Sequence, residues 1–217
     1  MHTGQVMQNI TTEQARAIPT PPIAVRAVLA TSKTTLTVER WLITGLMFLL
    51  TFLILLNIVT RYSGASLYWV DESAVYSVVW LTFIGGSAMT RLRMDFAVEM
   101  LTDKLSASYK KIAKITAGLG IAIFSIALAW MCLLWFDPIG FAQAGFEPKA
   151  FAAKSFNFLY TERTQTLNWP SWAVYLIIPI FSITMVIHSV ANLLEDMGFA
   201  QVSKFKEFGL NNAESIN

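Results

Sequence analysis

The chain is predicted to be an all-α integral membrane protein: four transmembrane helices, an interfacial helix on the cytoplasmic side and a long aromatic-rich loop on the other. Three observations predict it. Apolar residues fill 55% of the 217 positions and charged residues only 14%, with a mean hydropathy of +0.53, which is the composition of a lipid-buried chain. Four segments, at 41–60, 70–90, 114–136 and 169–194, are apolar enough for the roughly 20 residues that cross a hydrocarbon core as helix. None alternates polar and apolar residues as a barrel strand would, so helices are the spanning form.

The basic residues set the expected orientation. Arg16, Arg26, Lys33 and Arg40 precede the first span. Arg91, Arg93, Lys104, Lys110, Lys111 and Lys114 link the second to the third, and Lys204 and Lys206 follow the fourth. Only Arg61, Lys149, Lys154 and Arg163 fall on the other side. This asymmetry predicts that both termini are cytoplasmic. The basic residues are too dispersed for a nucleic-acid patch, so no nucleic-acid partner is expected.

Residues 1–34 are polar, contain Pro19-Thr20-Pro21-Pro22 and lack the apolar core of a secretory signal. They are expected to form a mobile cytoplasmic extension, with helix beginning to form near 23–29. The membrane domain is expected over 35–198. Its first span opens on Trp41, an interfacial anchor, and closes at Asn57-Ile58-Val59-Thr60-Arg61. A link of about seven residues through Ser63-Gly64 makes spans one and two an antiparallel hairpin. The second span enters behind Trp69-Val70-Asp71-Glu72, passes Trp80 and Gly85-Gly86, and leaves at Arg91 and Arg93, whose side chains are expected to snorkel to headgroups.

Met94 to Leu105 mixes Phe96, Val98, Met100 and Leu101 with acids, the pattern of a short helix or turn lying flat at the interface. In span three Gly118, Ala122, Ser125 and Ala129 place small residues on one face for close helix packing, within this chain or against another. Asp137-Pro138 ends that span. The outer loop to Pro170 carries Phe141, Phe146, Phe151, Phe156, Phe158 and Tyr160, which fits a helix resting on the bilayer or a docking surface. Trp169-Pro170 opens span four, with proline at a first-turn position. Residues 199–217 read as a cytoplasmic tail that prolongs the helix and frays.

No catalytic residue, cofactor or metal ligand is expected. His188 is the only histidine in a span, which does not supply a bis-histidine haem site, and it reads as a packed or interfacial side chain. By spacing it has no serine or cysteine partner for nucleophilic chemistry. Cys132, mid-span and alone, reads as a small hydrophobe. The pair Asp71-Glu72 sits at a helix start, where the dipole favours negative charge, and three roles fit it: a cap, a partner for a basic group such as Arg61, or an ion-carrying carboxylate. Trp69, Glu72, Tyr76, Trp80 and Phe83 share one helical stripe, which reads as a packing face.

The ordered set Asn57-Ile58-Val59-Thr60-Arg61-Tyr62, Trp69-Val70-Asp71-Glu72, Val79-Trp80-Leu81, Phe83-Ile84-Gly85-Gly86, Arg91 and Val98-Glu99 resembles the small membrane subunit of tripartite ATP-independent periplasmic (TRAP) transporters. The likeness runs ungapped over 57–101. Val75 stands where that family often has arginine, and Asp95 where a histidine frequently opens the short cytoplasmic motif. The resemblance implies a non-catalytic scaffold subunit of a sodium-coupled importer of an organic, acidic solute in the bacterial inner membrane. Its implied partners are a large membrane permease subunit, a periplasmic solute-binding protein and membrane lipids. Arg61, Trp69, Asp71, Glu72, Trp80, Gly85, Gly86, Arg91, Arg93, Gly118 and Ala122 become the subunit-interface or structural candidates. Two alternatives stand beside it: an independent four-span carrier with Glu72 as coupling acid, and an accessory subunit of a membrane redox complex.

Overall fold

A computed structural model describes residues 21–94, 106–203 and 205. Among them, four helical stretches are long and apolar enough to cross a membrane. The first, α1 (Ile23–Tyr62), is 40 residues long, about 60 Å at helical rise and so about twice the hydrocarbon thickness. The expected extension over 1–34 therefore overlaps this helix, which begins at Ile23, while residues 1–20 lie outside the described residues. Val25, Ser32, Leu36 and Glu39 are its buried positions in that region. Their steps of seven, four and three place them on one face. Arg26 and Lys33 stand on the exposed sides of this arm, whereas Glu39 is buried.

A tight turn leads to α2 (Tyr68–Leu92), which packs along α1 as the expected hairpin. Arg93, in left-handed conformation, caps α2 and turns the chain away. The expected interfacial segment falls on 95–105 and lies outside the described residues. The third span, α3 (Ala107–Phe136), ends at Asp137, whose side chain accepts from the Gly140 N–H at 2.8 Å and so caps the next helix. A Cβ on Gly140 would meet that carboxylate at 2.1 Å, so the cap needs glycine here.

The outer loop is folded. It contains α4 (Pro138–Gln143) and α5 (Pro148–Ser155), each opened by proline. Phe141 stacks on Tyr160 with ring centroids 4.0 Å apart, and Phe151 meets both rings edge-on. Tyr160 donates its hydroxyl to the Phe136 carbonyl at 2.7 Å. Burial, with the Asp137 carboxylate adding to it, pushes this phenol above its ordinary value, so it keeps the proton it donates.

The last span is α6 (Ser171–Tyr175) followed by α7 (Ile177–Asp196). Pro179 accounts for the break: it has no N–H for the Tyr175 carbonyl four residues earlier, and its ring crowds that carbonyl. α7 is the hub of the bundle, packing against α1, α2 and α3.

Candidate functional site

The chemistry-bearing side chains gather into three groups on the faces of α7 and at the mouth of the α1–α2 hairpin. At the mouth, Asn57 Nδ2 donates to Asp71 Oδ1, while Arg61 donates Nε to Asn57 Oδ1 at 2.9 Å and Nη2 to Asp71 Oδ2 at 2.8 Å. Asp71 thus takes the basic partner that the short turn suggested. Glu72 behaves differently. Its carboxylate accepts the backbone N–H groups of Gln165 (2.9 Å), Thr166 (2.7 Å) and Leu167 (2.8 Å), the Thr166 hydroxyl, and the Tyr76 hydroxyl at 3.0 Å. Successive N–H groups aimed at one point form an anion-binding concavity.

The loop that presents these donors is locally determined. Thr164 and Trp169 bond reciprocally, with Thr164 N to Trp169 O at 2.8 Å and Trp169 N to Thr164 Oγ1 at 2.9 Å. Asn168 adopts the left-handed conformation that its residue type tolerates. Sequence reasoning did not single out 165–167; their only signal was a polar turn ahead of Trp169-Pro170.

Below the mouth, the stripe on α2 meets the last span. Trp80 Nε1 donates to the Val174 carbonyl at 3.1 Å, Phe83 packs edge-on against Phe181, and Ser87 donates to Thr184 at 2.7 Å. A Cβ on Gly86 would touch Phe181 at an ordinary 3.7 Å, whereas Gly85 opens onto free space. Trp69 is exposed, away from this seam. On the other side of α7, a Cβ on Gly118 would press on Leu193 at 3.1 Å. Ala122 and Ser125 are buried. The small-residue face of span three therefore packs within this chain.

At the far end of α2 the structure corrects the expected snorkelling of Arg91. Its side chain is 1% exposed and forks onto Glu195, with Nη2 to Oε1 at 2.7 Å and Nη1 to Oε2 at 3.1 Å. Arg91 also donates to Asn192 Oδ1 and Ser203, and Phe205 lies against the guanidinium. Arg93 reaches Asp196 at 2.6 Å and Glu195 at 3.2 Å. Asn192 closes the network by donating to the Thr90 carbonyl at 2.7 Å. Sequence reasoning missed Asn192, Glu195, Asp196 and Ser203; the steps of three and one from Asn192 to Glu195 and Asp196 along the last turn of α7 were the available signal.

The third group also departs from expectation. His188 was expected to lack a serine partner, yet Ser32 Oγ lies 2.8 Å from its Nδ1, and Glu39 Oε2 lies 3.1 Å from its Nε2. The serine and histidine are wholly buried and Glu39 nearly so. A nucleophile sealed from solvent meets no substrate, so this Ser–His–Glu chain is a pin between α1 and α7. Glu39 Oε1 has no hydrogen-bond partner. Cys132 is buried in α3. Among the described residues, no cluster of three or more histidine, cysteine or acidic side chains is placed to hold a metal.

The family model described as the DctQ component of tripartite ATP-independent periplasmic transporters matches residues 47–198. No curated protein and no solved structure gave a match. The matched region takes in the hairpin mouth, the α2–α7 seam and the Arg91–Glu195 pair, and leaves Ser32, Glu39, Ser203 and Phe205 outside it. With a match over well more than half its length, and with four helices able to span a membrane, the chain belongs to the DctQ family, the small component of TRAP transporters.

Proposed function

We propose that the chain is the non-catalytic scaffold subunit of a sodium-coupled importer of an organic, acidic solute, lying in the bacterial inner membrane with both termini cytoplasmic. In this reading a large permease subunit carries the sodium and solute sites, a periplasmic binding protein delivers the solute, and this chain braces the static part of the assembly. One observation carries the reading: the most deeply buried charges, Arg91 and Glu195, are locked to each other across two helices. A coupling carboxylate must exchange partners during a transport cycle, and such groups normally lie near the midplane beside unwound helix.

The alternatives fit less well. Glu72, the acid an independent carrier would use, is held by three backbone N–H groups of the 165–167 turn. Both ring nitrogens of His188, which a redox subunit would offer to haem, are engaged by Ser32 and Glu39.

The test is solute uptake into proteoliposomes under an imposed sodium gradient. The chain alone should give none, and the chain with its large partner and binding protein should give uptake that collapses with the gradient. Sodium-driven uptake by the purified chain alone would overturn the scaffold reading.

A further inference from the structure

The folded segment between α3 and α6 closes its own aromatic core and still leaves large apolar side chains outside. Ile139, Phe146, Phe156 and Phe158 are 70%, 67%, 81% and 53% exposed. Phe146 and Phe156 stand at φ 60° and 54°, in the left-handed region that crowds a bulky side chain and usually falls to glycine at a helix end. Phe156 caps α5 in this way. Beside it, Lys149, Ala152, Ala153, Phe156, Phe158 and Thr161 line a shallow, mainly apolar groove of about 400 Å³.

The height of this groove is fixed by hydrogen bonds. Asn157, between the two exposed rings, donates Nδ2 to the Trp135 carbonyl at 2.6 Å, and Tyr160 donates to the Phe136 carbonyl next to it. The groove is thus stapled to the last two carbonyls of a membrane-spanning helix. The final turns of that helix expose Trp130, Leu133, Leu134 and Trp135, with tryptophan at the level where bilayers hold it. Phe156 and Phe158 continue this lipid-facing band sideways. Lys149, which lines the groove, and Lys154 are both exposed on α5. Exposed apolar rings flanked by exposed cations are the residue pattern of an interfacial helix on anionic lipid.

We propose that α5 and the 156–158 turn lie in the headgroup layer at the C-terminal end of α3, with Phe156 and Phe158 among the acyl chains. The groove then seats a chain segment of an anionic phospholipid, whose phosphate meets Lys149 and Lys154. The proposal rests on α3 being a membrane span, and the test separates the two.

The full chain, carrying Cys132→Ser, is reconstituted in liposomes with a nitroxide on F156C, F158C, E162C or I126C, and collisions with oxygen and with a water-soluble nickel complex are measured by electron paramagnetic resonance. Labels at 156 and 158 should collide several-fold more with oxygen than with nickel, as at 126 within α3, and the order should reverse at 162. Replacing pure phosphatidylcholine by its equimolar mixture with phosphatidylglycerol should deepen the 156 and 158 labels, and the double variant K149E/K154E should abolish that deepening. Labels at 156 and 158 as wet as at 162, with 126 in lipid, would overturn the proposal. So would labels that stay wet until a periplasmic binding protein is added, or a deepening that persists in the lysine variant. A wet label at 126 would instead overturn the reading of α3 as a span.

Discussion

Arg91 and Glu195 stand 104 residues apart in the chain and meet through two parallel N–H to oxygen bonds, at 2.7 and 3.1 Å, where water is excluded. The paired geometry matches the fork of a guanidinium to the two oxygens of a carboxylate. It ties the end of α2 to the end of α7 and orders the chain beyond, through Ser203.

Removing one member strands the other. Glu195→Ala should destabilise the purified protein by about 3–5 kcal/mol, because a buried guanidinium loses its counter-ion. Arg91→Met combined with Glu195→Leu should recover most of that loss, since an apolar pair of similar volume needs no partner. Thermal unfolding in detergent, followed for the single and double variants, checks both statements; a double variant no more stable than Glu195→Ala would refute the pairing.

The neighbouring acids of the hairpin mouth should respond unequally. Asp71 and Arg61 are 40% and 60% exposed, and ion pairs of that kind contribute about 0–1 kcal/mol. Glu72→Ala should lower the melting temperature more than Asp71→Ala, because it releases three backbone donors and a tyrosine hydroxyl together. It should also open the 162–170 turn to limited proteolysis, while Asp71→Ala leaves the cleavage pattern unchanged. Equal effects in both assays would dismiss the loop clasp.

The pin between α1 and α7 predicts a local effect. His188→Phe leaves Ser32 and Glu39 buried with no ring nitrogen to bond, at about 1–3 kcal/mol for each stranded polar group. Amide exchange should accelerate across 23–40 and stay near its original rate in 41–60. Uniform acceleration along α1 would mean that the arm is held by something other than this cluster.

The orientation drawn from the basic residues is tested by two single cysteines in a Cys132→Ser background. Both chosen positions, Glu162 and Ser106, are exposed. A membrane-impermeant thiol reagent applied to intact cells whose outer membrane has been made permeable should label E162C and leave S106C unlabelled. The opposite pattern would invert the topology.

The spans and the hairpin were legible because apolar runs and helix ends are written locally: Ser63-Gly64, Asp137-Pro138 and Trp169-Pro170 mark turns wherever the rest of the chain goes. The start of α1 was not. Nothing local to Glu39 signals its burial, because the histidine that faces it lies 149 residues away. Arg91 failed for the same reason, as a terminal arginine looks free to snorkel until its acid arrives from the far end of the chain. The Gly118 and Ala122 step was readable as a close-packing face, but no local pattern says that Leu193 fills it. The grip on Glu72 is made mostly by backbone, which carries no residue signature.

The position of α7 as hub has a consequence for biogenesis. The helix that contacts every other described span leaves the ribosome after the other three. Until residues 188–195 emerge, Arg91 and Glu39 have no counter-group, and the small-residue face of α3 has nothing against it. The first three spans must therefore wait, within the insertion machinery or shielded by lipid, as a half-built intermediate. The bundle can close around these groups only once α7 is in place. A chain cut short before His188 would leave Glu39 and Arg91 without the partners that bury them in the finished bundle.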